Sequence, residues 1–253
     1  MMTRRPARPA FTLIELLVVI AIIGILMSLI LPAVQKIRGK GPILVAKNDI
    51  EQMNIACTEF KAKYGFYPPC SFTFPTTAAH PSTEVFKRMF SRWTQAPVAP
   101  PAGFPATITG SQCLVYFLSG PGGTGWAVDA PIAPSANATA KNTFMDFLPS
   151  RVVNGAYLDP WKTPYMYLSS GDGGQYGSSA AFYPPNVPPV SVYSSGGKPV
   201  NPRGVQIISA GPNMTFGPGG AWTPGAGAYS STQAAGGDDI ANFNGGFSLA
   251  VQN

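Results

Sequence analysis

The stretch that decides the architecture is Phe11 to Leu31, FTLIELLVVIAIIGILMSLIL, which carries a single charge, Glu15. Its 21 residues, wound as an α-helix, reach about 30 Å, the thickness of a bilayer's hydrocarbon core. Ahead of it lies a ten-residue leader, MMTRRPARPA, with Arg4, Arg5 and Arg8 and a small last residue, Ala10. Basic residues on one flank predict that the leader stays cytoplasmic while the rest crosses outward. A secretory signal has an apolar core of about 7–15 residues followed by a small-residue cleavage site. Here the run is longer and Pro32-Ala33-Val34 follow it. The small residue precedes the run, so a cut after Ala10 leaves the helix on the mature chain.

Glu15 is the anomaly. A carboxylate facing lipid is costly and calls for a partner. Cleavage after Ala10 creates an ammonium at Phe11, one helical turn away on the same chain or beside Glu15 of a neighbouring chain. The other reading is a carboxylate near the membrane surface that snorkels to the headgroups. Position alone leaves both open.

Ala10-Phe11-Thr12-Leu13-Ile14-Glu15-Leu16 resembles the type IV prepilin processing motif, with Ala10 where that family usually has Gly. The resemblance implies cleavage between Ala10 and Phe11, N-methylation of Phe11, and assembly into a helical filament through the apolar helix. It also implies that Glu15 pairs with the Phe11 amine of an adjacent subunit.

The rest of the chain narrows the class. Of 253 residues, 17 are Lys or Arg and 11 Asp or Glu, a net charge of +6 that falls to +3 without the three leader arginines. That is too mild for nucleic acid, and no basic cluster or RNA-binding signature accompanies it. With 28 Gly and 27 Pro, over a fifth of the chain, much irregular loop is expected. Cys57, Cys70 and Cys113 make an odd count. In an oxidising envelope Cys70 and Cys113 could pair and leave Cys57, which fits a buried helix face, as a small core hydrophobe. No C-x-x-C spacing suggests zinc.

Pro32 is expected to kink the long helix, and Gly39, Gly41 and Pro42 to interrupt it. The helical pattern resumes at Ile43. Ile50, Met53, Cys57, Phe60 and Tyr64 then recur at intervals of three and four, one apolar stripe. Gly65 supplies a C-cap and Pro68-Pro69 a stop. Short helices are expected over Thr83–Arg92, Ser111–Leu118 and Lys141–Val153, and strands over Tyr165–Leu168, Val205–Ser209 and Phe247–Val251. Asp159 should accept hydrogen bonds from turn amides, with Trp161 covering the core edge.

Three further segments extend the resemblance toward the major pseudopilins of type II secretion. Asp49-Ile50 with Gly65-Phe66-Tyr67-Pro68 is the first. Leu158-Asp159-Pro160-Trp161-Lys162-Thr163-Pro164-Tyr165 is the second, with Lys162 where that family has Gly. Ser209-Ala210-Gly211-Pro212-Asn213 together with Gly237-Asp238-Asp239-Ile240-Ala241-Asn242-Phe243 is the third. Residues 71–156 fit the family poorly and read as an insertion. The implied fold is α+β: a long N-terminal helix, membrane half plus amphipathic half, packed on a small antiparallel sheet with loop-rich insertions. The implied divisions are a leader at 1–10, a transmembrane and filament-core helix at 11–35, and a periplasmic head at 36–253. The implied partners are other copies of the chain, a prepilin peptidase, minor pseudopilins and an inner-membrane assembly platform. The resemblance also implies calcium in the last loop, with Asn213, Asp238 and Asp239 as side-chain donors and carbonyls near Ile208 and Ala210 beside them.

Other chemistry is poorly supported. Gly120-Pro121-Gly122-Gly123-Thr124-Gly125 matches G-x-G-x-x-G, but two prolines follow where a dinucleotide site needs a helix. His80 is the one histidine and sits in a Thr/Ala/Pro loop. There is no P-loop and no G-x-S-x-G elbow. The chain is thus expected not to be an enzyme. The alternatives are a type IV pilin, or an envelope-anchored enzyme or carbohydrate-binding protein using the loops as a pocket.

Overall fold

A computed structural model of the chain describes residues 12–77, 79–90, 93, 98–127, 141–171, 176, 190–223, 236–244 and 249. The chain divides into two compact units, residues 1–42 and 43–253. Helix α1 is Leu13–Tyr64. It is helical through Pro32, Gly39, Gly41 and Pro42, so the expected interruption does not occur. One proline removes one hydrogen bond of the ladder, and neighbouring turns on both sides hold the helical path.

In the first unit every large apolar side chain from Leu13 to Leu31 is exposed; Val19, the least exposed, is still 45 % open. A helix apolar all round has no polar face to show water and needs lipid or other helices around it. In the second unit α1 behaves differently. Ile50, Met53, Cys57 and Phe60 are buried as one stripe, with Tyr64 packed at its edge. Glu51 and Lys63 face outward. Gly65 ends the helix at φ +83°, its amide donating to Lys61 O at 2.7 Å.

After α1 come β1 (Ser71–Thr73), α2 (Thr83–Met89), β2 (Thr107–Thr109), α3 (Ser111–Ser119), β3 (Trp126–Ala127) and β4 (Lys141–Asn142). Then follow β5 (Val152–Val153), β6 (Ala156–Tyr157), β7 (Met166–Ser169), β8 (Ser194–Ser195), β9 (Lys198–Pro199), β10 (Val205–Ser209) and β11 (Ile240–Ala241). The head is therefore α+β. Its main sheet has the order β11-β10-β7, antiparallel throughout, with Ile207 opposite Tyr167 and Ser209 opposite Ile240. Both of its faces are covered. Tyr167, Val205 and Ile207 join the α1 stripe, while Met166, Leu168 and Ile208 join a second core with Tyr193 and Trp222. That is why β7 and β10 are buried at every position.

Several boundaries differ from the sequence expectation. α2 stops at Met89, where Phe90 turns extended. The strand expected from Tyr165 begins at Met166. Lys141–Val153 is no helix: it holds β4, a 3-10 turn at Pro149–Arg151, and β5. Pro149 and the pairing of Val152 with Tyr157 outcompete the weak helical pattern there. Of the last expected strand, Phe247–Val251, only Leu249 lies within the described residues; it is buried, and its amide donates to Asp239 O at 3.0 Å.

Residues 71–156 are not a peripheral appendage. Phe72 meets Phe117 at 5.2 Å between ring centroids, and Phe117 meets Phe60 of α1 at 6.1 Å. Tyr116 and Trp126 pack edge to face at 5.1 Å. Such aromatic pairs add about 0.5–1.5 kcal/mol each beyond their area, so this segment supplies much of the head's cohesion. Within it, the glycine-rich Gly120–Gly125 makes a 3-10 turn and runs into β3. His80 accepts at Nδ1 from the Ser82 amide at 3.2 Å, a local turn contact.

Candidate functional site

Glu15 and the helix start come first. Thr12 donates its backbone N–H to Glu15 Oε2 at 2.9 Å and its hydroxyl to the same oxygen at 2.7 Å. The Glu15 amide donates back to Thr12 Oγ1 at 3.3 Å, and Leu16 N–H makes the first helical bond to Thr12 O at 3.3 Å. This is a reciprocal capping box: a hydroxyl at the N-cap, a glutamate three residues on. Thr12-x-x-Glu15 fits the S/T-x-x-E cap pattern, a signal the partner readings above did not use. Ala10 and Phe11 lie outside the described residues.

The second site is the last loop. Gly211 has φ +67°, and a Cβ there would collide with the Asp238 carbonyl, so the turn after β10 admits only glycine where it meets the segment before β11. Asn213 donates its backbone N–H to Asp238 Oδ2 at 2.8 Å and its side-chain amide to Asp238 Oδ1. Asn213 Oδ1 accepts from the Thr215 amide at 2.7 Å. Asp239 is fully buried. Its Oδ2 accepts from Gly217 N–H at 3.0 Å and from the Tyr193 hydroxyl at 3.4 Å, and its Oδ1 is buried with no hydrogen-bond partner among the described residues. Burial, with Asp238 alongside, pushes the Asp239 carboxyl up to about 7.

The three expected donors are thus together. An orphaned, buried carboxylate oxygen beside a second carboxylate suits a hard cation. Asn213 is committed in this arrangement to Thr215 and Asp238 rather than presented as a free donor. Among the described residues no group of three or more His, Cys, Asp or Glu is placed to hold a metal, so any ion would rely on Asp238, Asp239 and backbone oxygens.

Two polar centres hold the head together. Asp159 Oδ1 accepts from the Trp161 and Thr163 amides at 3.0 and 2.9 Å, as expected of that turn. Its Oδ2 accepts from Ser209 Oγ at 2.7 Å, tying the turn to β10. Lys162 takes φ +72°, the glycine-type conformation, without being glycine. The second centre is Asp49, where α1 meets distant segments. Its Oδ2 accepts from Arg151 Nη2 at 2.6 Å and from the Tyr165 hydroxyl at 2.7 Å. Arg151 also donates to Leu158 O through Nε at 2.9 Å. Burial first, then the Asp49 charge, pushes the Tyr165 hydroxyl well up, keeping it a donor. Partners 102 and 116 residues away leave no local trace in the sequence.

Asn242 is a further residue whose role the sequence did not disclose. Its Oδ1 accepts from Ile207 N–H at 3.0 Å, and its amide donates to Asn54 Oδ1 of α1 at 3.2 Å, splicing the chain's last part to both sheet and helix.

Comparison with known proteins agrees with this layout. Residues 5–31 match the prokaryotic N-terminal methylation motif. Over 173 residues, 68 % of this chain and 82 % of the relative, the chain is 25 % identical to the type II secretion system core protein G of Pseudomonas aeruginosa. No solved structure matches significantly. The N-terminal helix is long and apolar enough to cross a membrane, and with this motif it is a membrane anchor. The chain thus carries a prepilin-type N-terminal methylation motif and is similar to a core pseudopilin of type II secretion.

Proposed function

We propose that the chain is a structural subunit of a pseudopilus in a type II secretion-like system, and not an enzyme. Prepilin peptidase cuts between Ala10 and Phe11, and Phe11 is N-methylated. The subunit waits in the inner membrane as a single-pass protein with its head in the periplasm. An assembly platform, together with minor pseudopilins, then draws it into a helical filament of like subunits. The observation that carries this reading is the uniformly exposed apolar helix Leu13–Leu31, interrupted by one carboxylate at the motif position. A helix of this kind that leaves lipid needs other apolar helices around it. In the filament, Glu15 pairs with the Phe11 amine of an adjacent subunit, replacing or sharing its bond to Thr12.

Mass spectrometry of the mature N-terminus tests the processing. Methyl-Phe11 is expected; an intact Met1, or a cut after Pro32, overturns it. Glu15→Ala should be cleaved normally yet give several-fold fewer filaments, and an unchanged yield removes the pairing.

We propose further that Asp238 and Asp239 hold calcium, with backbone oxygens nearby and Asn213 supporting Asp238. The orphaned Asp239 Oδ1 supports this. Bound calcium would offset the charge of two adjacent carboxylates and tether the turn after β10 to the segment before β11. Full-length protein should melt at lower temperature in chelator, and Asp239→Asn should abolish that difference; chelator-insensitive melting of the wild type rules the site out.

A further inference from the structure

The three cysteines are free thiols, and they are not scattered. All three lie near enough to Tyr167 of β7 to push its hydroxyl up, after burial, and that hydroxyl donates to Pro68 O at 2.7 Å. They differ in what else they face. Cys57, on α1, is turned to the Tyr167 hydroxyl. Cys70 immediately precedes β1, and Cys113 lies in the first turn of α3.

The local geometry brings these last two to the same end of one ladder. β1 and β2 pair in the register Ser71–Thr109, Phe72–Ile108, Thr73–Thr107. The ladder continues one step beyond, since Gly110 N–H donates to Cys70 O at 2.9 Å. Cys113 folds back onto this same ladder, its thiol donating to Ile108 O at 3.4 Å. Along β1, Cys70 and Phe72 are two apart and share a face. Along α3, Cys113 and Phe117 are four apart and share a face. Phe72 and Phe117 are in contact. One strand repeat and one helix turn advance by nearly equal lengths, about 6–7 Å against about 6 Å. Cys70 therefore stands to Cys113 as Phe72 stands to Phe117. Burial first, then Cys70, pushes the Cys113 thiol up, which agrees with this placement.

We propose that Cys70 and Cys113 are a redox-active pair that closes into an intramolecular disulfide pinning β1 to α3, with Cys57 excluded. Cys70 is the more accessible of the two, half-buried where Cys113 is fully buried. Its thiolate attacks the sulfur of an external disulfide such as oxidised glutathione, releasing one thiol and forming a mixed disulfide. The Cys113 thiolate then attacks Cys70 Sγ and expels the second thiol. The two cysteines lose two electrons and two protons, and the external disulfide becomes two thiols. Burial pushes both thiols up, so closure is slow near neutrality and quickens in base.

The test uses full-length protein in detergent micelles, incubated with oxidised glutathione, denatured, and labelled with a mass-tagged maleimide. Labelling should fall from three thiols to one, return to three after dithiothreitol, and drop to none in oxidised Cys57→Ser. Peptide mapping of the wild type should give a Cys70–Cys113 cross-link, and the oxidised form should melt at higher temperature than the reduced form. Three labelled thiols after oxidation, a cross-link that includes Cys57, or a bond between two chains each overturns the proposal. The wild-type map decides the matter without relying on a variant that folds.

Discussion

The two stretches of α1 are one helix with opposite chemistry. From Leu13 to Leu31 every large apolar side chain is exposed, and the one carboxylate is satisfied three residues away by Thr12. From Ile43 to Tyr64 the buried apolar residues form one stripe, and the buried carboxylate, Asp49, is satisfied by partners more than a hundred residues away. The first region is built by composition and the second by distant contacts. Substitutions should therefore stay local in the first and propagate in the second.

The largest expected effect tests that contrast directly. Phe60→Ala removes a fully buried ring that packs on Phe66, Phe117 and Phe144. It should destabilise the head by about 3–5 kcal/mol in denaturant melts. Ile20→Ala, in the exposed segment, should leave the same transition unmoved. Equal effects would break the distinction between the two regions.

Next comes Asp49→Ala. It strands the Arg151 guanidinium, whose side chain is only 18 % exposed, and frees the Tyr165 hydroxyl. A loss of about 3 kcal/mol is expected in the same melt, with Asp49→Asn losing less because it keeps an acceptor. A smaller and opposite effect is expected at Lys162. Its positive φ disfavours any side chain, so Lys162→Gly should raise stability by about 0.5 kcal/mol, the relief of strain being partly cancelled by greater freedom in the unfolded chain.

The smallest effect is a pH slope. Burial, outweighing hydrogen bonds from Ser209, Thr163 and Trp161, holds the Asp159 carboxyl above its ordinary value of 3.8. The folded state then keeps this proton more tightly than the unfolded chain does. Its contribution is complete below the ordinary value and is lost as pH rises through the folded one. Comparing wild type with Asp159→Asn across the acidic range should show the wild type losing stability faster as pH rises.

What the sequence made legible follows the same division. The apolar run, the α1 stripe, the Gly65 stop, strand Val205–Ser209 and the Asp159 turn all depend on neighbours within a few residues, and each lies where periodicity or turn chemistry puts it. Lys141–Val153 departs from the expected helix because its path is set by pairing with Tyr157 and by Pro149, against a weak local preference. The break expected near Pro32 and Pro42 overweighted single residues against a long helix on either side. At the candidate site, Asn213, Asp238 and Asp239 were legible as a group, but the division of labour among them was not. Only the folded arrangement sets Asn213 on Asp238 and leaves Asp239 Oδ1 alone.

The clasp between Gly211 and Asp238 has one more consequence. The backbone is fixed at that crossing, where no side chain fits at position 211 and Asn213 fastens the segment leading into β11. Lengthening a closed loop costs only about 0.6 kcal/mol per doubling. Adding residues between Trp222 and Gly236, by evolution or as an inserted tag, should therefore leave the three-strand sheet in register as long as this clasp holds.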